Sequence, residues 1–582
     1  MKDQRALHYY ERLLPLGTKC DVFISLSEVA EKLCTTTRHS RTLLQELQQR
    51  QWLTWQPKVG RNQRSVIHLA FERAEIRQVL ARVQIEAGYY ENAMTFLEDD
   101  QQQFAALLRQ TSGAIVREDQ LHIQLTYQRV FDELLPHTPL RNSERFLVRQ
   151  VYACLTGCDK EGQLTPQLSH AWTSNEDATI WRFYIRPQLK FHSGELITAA
   201  LIKDLFEQLR GLPEYREELS HVVAISFTKQ SVTFELSSPD LGFAALLSDL
   251  RYSIQPPKQI SSPIVATIDG SGAFQVVEQS DERLRLQAND FYFGLRSLTD
   301  TVTIWQLANT PSERIQLGHY DQPNLLDRPD YLIENHSDVQ ESTQTRIENG
   351  CLYMLFNTAS QQQLTLAQRR WLASVLSPET ILQHDQLSEL LMASIPAHNF
   401  LPSWTQIKPC QPEPASLPSC LDIAVYDHLV IKDCAQVMKH TLNQMGIDCT
   451  INVYSLEEMH KLSQQRQLSE PLVIASFNVD DNLPISVYRW LMSDSILHQG
   501  LSDDASAWLR AEMISLRESS QVTQYLAKLE SIATTMHYQN WLTPLFHHRQ
   551  TLRWKGVLQG VSITDWSWPD FRNVWIEDEL EQ

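Results

Sequence analysis

The chain has 582 residues, 42% of them hydrophobic and 21% charged, with 51 basic against 70 acidic side chains and a formal charge of −19. That length exceeds what one ordinary hydrophobic core can hold, so two or more domains are expected. No run approaches the roughly 18–20 apolar residues of a membrane-spanning helix, and the opening "MKDQRALHYYERLLPLG" lacks the apolar stretch of a secretory signal, which together imply a cytoplasmic protein.

The nine cysteines are odd in number and scattered. Cys154 and Cys158 are the only close pair, with no second pair or histidine at zinc-ligand spacing, so reduced thiols and neither metal nor cofactor are expected. Charge is uneven along the chain. Residues 1–70 hold eleven Lys/Arg and six Asp/Glu, a net of +5, which leaves −24 for the remainder. A basic head on an acidic body points to a polyanionic partner for the head alone.

In chain order, the first predicted helix is Gln4–Leu14, with Leu7, Tyr10, Leu13 and Leu14 on one face. Ser25-Leu26-Ser27-Glu28 has capping-box spacing, and Leu26, Val29, Ala30 and Leu33 then recur as one apolar helical face. Thr35 or Thr36 can cap a second helix, roughly Thr37 to Gln51. Its Leu43, Leu44 and Leu47 point one way; Arg38, Arg41, Gln45 and Gln48 point the other. Trp52–Gln56 and Ser65–Leu69 alternate like short strands around the loop "PKVGRNQR", in which Lys58, Arg61 and Arg64 meet no acid. Two helices joined by a tight turn and followed by a basic hairpin form a winged helix-turn-helix. Thr37, Arg38, Ser40, Arg41 and Gln45 are the candidates to face DNA bases, since Arg grips guanine and Gln adenine bidentately. Lys58, Arg61 and Arg64 are candidates to hold phosphates.

Residues 71–119 lack proline, carry helical periodicity and show no chemistry, so they are expected to form a helical connector. From residue 120 strands and helices mix. "QLHIQLTY", "IWRFYIRP", "SVTFELSS", "RLRLQAN", "CLYMLFNT" and "LDIAVYD" alternate or run apolar as strands. "AALIKDLFEQLRGL", "LAQRRWLASVLS" and "CAQVMKHTLNQMG" are helical, which is the pattern of α/β lobes. Four prolines in "IKPCQPEPASLPSC" mark an exposed connection.

The stretch 151–199 resembles the opening of the bacterial peptide- and nickel-type solute-binding proteins. Tyr152, Leu155, Pro166, Trp172, Trp181, Phe183, Arg186, Phe191, His192 and Gly194 match its motifs. Gly270, Gly272, Phe274, Asn289 and Tyr292 match a second block, and "PLFHHRQTLRWKGVLQGVSI" with "DFRNVWI" resembles the family's C-terminal return into its first lobe. The family's acidic residue after threonine–alanine is here Ala200, and its members are exported. A winged helix ahead of this domain resembles the SgrR family of transcriptional regulators. The resemblance implies a multidomain chain: a winged helix-turn-helix at 1–70, a helical connector at 71–119, and a two-lobed α/β, periplasmic-binding-protein-like body at 120–582.

The same resemblance implies that the lobes close on a small effector, with a phosphorylated sugar as precedent, and that double-stranded DNA is the other partner. Relatives that bind peptides meet the ligand amine with a carboxylate, for which Asp480 and Asp481 are the candidates. Tyr152, Tyr252, Trp404 and Trp490 are candidates to wall the pocket. His547 and His548, adjacent on a strand, point to opposite faces and do not form a joint site. No Walker loop, dinucleotide fingerprint, nucleophile elbow or metal motif is present, so no enzyme is expected. The competing reading is a small-molecule-binding or protein-interaction module without sequence-specific DNA binding. No heptad seam marks a dimer, and the oligomeric state stays open.

Overall fold

The computed structural model describes residues 2–576 apart from 59–63, 111–112, 118, 128, 263–266, 308–330, 334–340, 385–386, 388, 409–411 and 556–557. The chain divides into two units. One comprises residues 1–115, 123–130 and 304–316; the other comprises 116–122, 131–303 and 317–582.

The first unit begins with α1 (Lys2–Leu13), which buries Leu7, Tyr10 and Leu13. Leu14, expected at the end of that helix, lies in the 3-10 turn Leu14–Leu16, where Pro15 interrupts the α-helical pattern. β1 (Asp21–Ile24) was not legible as a strand. α2 (Leu26–Lys32) starts at the expected capping box: the Glu28 N–H donates to Ser25 Oγ at 3.3 Å and the Ser25 N–H to Glu28 Oε2 at 2.8 Å. α3 (Thr37–Gln49) is capped by Thr36, whose Oγ1 accepts the His39 N–H, and it stops two residues early because Gln51 adopts the left-handed region at φ +61°. β2 (Leu53–Gln56) and β3 (Ser65–Leu69) pair antiparallel, and β1 adds to the other edge of β3. The sheet is ordered β1-β3-β2.

α4 (Arg73–Glu86), α5 (Tyr90–Phe96) and α6 (Gln101–Gln110) occupy most of the expected connector. Ile76, Leu80, Ile85, Phe96 and Leu108 share one hydrophobic cluster with Tyr10, Leu44, Leu47 and Ile67 of the winged helix. Trp305 completes that core, edge-on to Tyr90 at 4.6 Å and to Phe104 at 5.5 Å.

The second unit is two-lobed α/β. One lobe carries an antiparallel sheet in the order Val222–Phe227, Ser231–Leu236, Ile180–Ile185, Ser169–Ser174. The other carries a mixed sheet in the order Ile395–Pro396, Leu542–His547, Cys351–Phe356, Leu472–Phe477, Ile423–Tyr426, Ile451–Tyr454. Ile423–Tyr426 runs parallel to both of its neighbours, and the other pairs are antiparallel. All six residues of Cys351–Phe356 are buried, as a strand covered on both faces requires. That explains its continuous apolar run.

The C-terminal segment returns to the first lobe. The Trp568 indole stacks on Phe146 at 5.6 Å and donates to Ser143 Oγ, while Ser297 and Thr299 hydroxyls donate to the Phe571 and Val574 carbonyls. Phe146 and Ser143 lie on α7 (Asn142–Val151). Gly272, expected from its motif, is required where the chain passes α7: a Cβ there would collide with the Gln150 carbonyl and the Val151 backbone.

Candidate nucleic-acid interface and interlobe seam

The outer face of α3 is built by its inner one. Leu43, Leu44 and Leu47 are buried in the unit core, which turns Thr37, Arg38, Arg41 and Gln45 outward, all exposed. Ser40 does not join them. It is fully buried, and its hydroxyl donates to the Thr36 carbonyl at 3.0 Å, so it tightens the helix start instead of facing a partner. The periodicity permitted either side for Ser40; its small size let the core take it.

Gln48, read as outward, accepts the Trp55 N–H at 2.9 Å and ties α3 to β2. Arg50 is spent internally: it pairs with Asp3 at 2.6 Å and Glu46 at 3.4 Å and lies over the Trp52 ring at 5.3 Å. Arg38, Arg41 and Lys58 have no carboxylate partner among the described residues. Arg64 sits 3.6 Å from Glu28, with both side chains largely exposed, a pair weak enough to yield to a phosphate. The Lys58 N–H donates to Ser65 Oγ at 3.2 Å and closes the hairpin base, which leaves its ammonium group in solvent. Arg61 lies outside the described residues. No acidic residue stands in the first turn of α3, so its N-terminal dipole remains open to an anion.

In the body, the candidate pocket walls turn out to be core. Tyr252 is fully buried, its hydroxyl donating to Glu218 at 2.5 Å. Tyr152 is buried and accepts from Gln259. Trp490 stacks on Phe477 at 4.3 Å, and Trp404 is buried with it in the same cluster. Apolar residues recur in both cores and pockets, and nothing in the local pattern separates the two.

Asp480 and Asp481 do meet at the seam between the lobes, but each already has a cation. Asp480 is fully buried; its Oδ1 accepts from Arg145 at 2.8 Å and from the Trp566 indole at 3.1 Å. Arg149 pairs with the half-exposed Asp481 at 3.0 Å. Thus Arg145 already neutralises Asp480 through Oδ1.

Beside these pairs lies a second set that the sequence reading missed. Arg489 bridges Asp249 at 2.6 Å and Glu218 at 3.1 Å, and Arg251 also reaches Glu218 at 3.2 Å. Tyr252 and Ser493 hydroxyls complete the shell of Glu218. Both carboxylates are fully excluded from solvent. Burial pushes the Asp249 carboxyl up, but the Arg489 and Arg145 guanidinium groups outweigh it and hold it below its usual range. At Asp480 burial prevails over Arg145, and its carboxyl is raised. Burial also pushes the Cys154 thiol up to about 11, against the pull of Arg149, so it is an inert thiol.

Four arginines thus face four carboxylates. The clue was present: Arg489 is the sole charge in "LPISVYRWLM", and a lone cation in a buried helix needs partners. Three polar atoms here are buried without a hydrogen-bond partner: Arg149 Nε, Asp249 Oδ2 and Asp480 Oδ2.

Sequence relatives match this arrangement of domains. The family described as "Sugar transport-related sRNA regulator N-term" matches residues 5–119, and "Bacterial extracellular solute-binding proteins, family 5 Middle" matches residues 163–375. The HTH-type transcriptional regulator SgrR of Yersinia enterocolitica is 28% identical over 580 residues, 98% of each chain. That of Photorhabdus laumondii is 27% identical over 557 residues, 95% of each. The chain thus carries an SgrR-type N-terminal domain ahead of a family 5 solute-binding domain, and it is similar to the SgrR regulators over nearly its whole length.

Solved structures agree on the fold of the body. NikA from Brucella suis, in complex with Fe(III)-EDTA, aligns at TM-score 0.60 with 17% identity, over 78% of this chain and 100% of its own. DppA from Helicobacter pylori, in complex with a peptide, aligns at 0.61 with 15% identity, over 79% and 99%. No helix among the described residues is long and apolar enough to cross a membrane.

Proposed function

We propose that this chain is a DNA-binding transcriptional regulator whose solute-binding-like body senses a small metabolite. The exposed face of α3, with Arg38 and Arg41 free of carboxylates among the described residues in a protein of net charge −19, is the observation that carries the reading. α3 enters the major groove, where Thr37, Arg38, Arg41 and Gln45 meet base edges. Lys58, Arg61 and Arg64 of the wing hold phosphates. The name shared by the relatives supports the same role.

For the effector, the seam favours an anion, such as a phosphorylated sugar, over a peptide amine. Arg145 already neutralises Asp480, whereas Arg149 is largely but not fully buried, its Nε lacks an acceptor, and its one carboxylate partner is half exposed. An anion displacing Asp481 would gain a charge-assisted contact. A protein-only interaction module is the competing reading.

The test is binding of the full chain to its own upstream DNA across a salt series, beside the Arg38→Ala/Arg41→Ala variant. Expected is tight, sequence-selective binding that strengthens as salt falls and is lost in the variant. Equal, weak binding by both proteins would remove α3 as the reading element.

A further inference from the structure

Away from the seam, the first lobe holds a depression of about 560 Å³ where the strand Ile180–Ile185 ends, lined in part by Tyr184, Arg186, Gln188, Gln230, Phe291 and Phe293. Its volume falls in the range of small-ligand sites. Two features set it apart from an ordinary surface groove.

The first is its aromatic rim. Asn289 is buried and anchors the loop: its side-chain amide donates to the Gly272 carbonyl at 2.9 Å, and its Oδ1 accepts the Phe291 N–H at 2.9 Å. The backbone at Phe291 is therefore held while the ring stands 82% exposed. A phenylalanine held out into water forgoes the burial that such a ring gains elsewhere in the fold.

The second feature is charge. The Arg186 guanidinium lies over the Phe293 ring at 5.7 Å, and the Lys190 ammonium over the Phe291 ring at 5.9 Å. Neither cation is in an ion pair among the described residues, although the chain carries 70 acidic residues against 51 basic ones. Gln188 and Gln230 add neutral hydrogen-bonding groups.

We propose that this depression is a second binding site, separate from the interlobe seam, for a small aromatic carboxylate. The ring packs against Phe291 and Phe293, and the carboxylate takes the guanidinium of Arg186 with Lys190 nearby. The site goes beyond the regulator reading and depends only on the body of the chain.

The experiment is isothermal titration of the full-length protein with benzoate and with indole-3-acetate, beside cyclohexanecarboxylate and inorganic phosphate. Expected is saturable binding of at least one aromatic acid, weakened roughly three- to tenfold by Phe291→Ala and by Lys190→Gln. Both side chains are exposed and their loss leaves the fold intact; Arg186→Gln, checked by circular dichroism, abolishes binding. Arg149→Gln at the seam leaves it unchanged. Three outcomes overturn the proposal: no saturable binding up to about 10 mM, unchanged affinity in both exposed variants, or equal binding of phosphate and the aromatic acids.

Discussion

Replacement of Arg489 by methionine tests whether the charge set at the seam is integral to the fold. The side chain sits on the helix Leu483–Ser493, in which Leu483 through Met492 are all buried. Its removal takes the 2.6 Å partner from Asp249 and the 3.1 Å partner from Glu218, both fully buried. Glu218 keeps Arg251 and the Tyr252 and Ser493 hydroxyls; Asp249 keeps the Arg251 N–H at 3.0 Å. Breaking one partner of a buried pair costs about 3–5 kcal/mol, and the contacts that remain place Arg489→Met near the lower end.

The pH dependence gives an independent check. In the native protein Arg489 helps hold the Asp249 carboxyl below its ordinary 3.8, a contribution present above that value and lost as pH falls through the folded pKa. In the variant burial is opposed by less positive charge, so the folded pKa rises above the unfolded one. The penalty then applies at neutral pH and is relieved by acid. Urea unfolding followed by tryptophan fluorescence should therefore show a deficit of about 3 kcal/mol at pH 7 that narrows toward pH 4. A deficit below about 1 kcal/mol at pH 7, or one that widens in acid, would refute the assignment of Arg489 as the neutralising partner.

Lys58→Ala should weaken DNA binding uniformly across sequences and lower the slope of log K against log salt by roughly 1, read by fluorescence anisotropy; altered sequence preference would place Lys58 at bases instead. Ser25→Ala should cost about 1 kcal/mol through loss of the reciprocal cap with Glu28, measured as a shift in the denaturation midpoint of the DNA-binding unit. Gly272→Ala should destabilise the body by more than about 2 kcal/mol, because the new methyl group meets the rigid backbone of α7; unchanged thermal stability would show that α7 can shift. Burial lowers His537 to about 4 from 6.5. Its stabilising contribution is present above 6.5 and lost as pH falls toward 4, so His537→Gln should remove about 2–3 kcal/mol of the stability difference between pH 7.5 and 4.5 in urea titrations.

Much of this protein is determined by local sequence. Ser25 and Glu28 start α2 by reciprocal hydrogen bonds that depend only on residues three apart, and Leu43, Leu44 and Leu47 orient α3 by helical periodicity. The outward placement of Arg38, Arg41 and Gln45 follows from that geometry, and strands such as Ile180–Ile185, Ser231–Leu236 and Cys351–Phe356 were legible from alternation or continuous apolar runs, whereas Val222–Phe227, Ile451–Tyr454 and Leu472–Phe477 were not read. What escaped depended on partners distant in the chain. β1 has no pattern of its own and exists because β3 offers an edge. Ser40 turned inward because the core had room for a small residue. Tyr252 and Trp490 proved to be core because rings from other elements, Phe206 and Tyr215 on one and Tyr353, Phe400 and Phe477 on the other, pack on them. Asp480 and Asp481 were legible as candidate carboxylates for a ligand amine, but only the approach of α7 brings Arg145 and Arg149 to them. Periodicity is a property of neighbours along the chain; burial and charge pairing belong to neighbours in space, and those the tertiary structure decides.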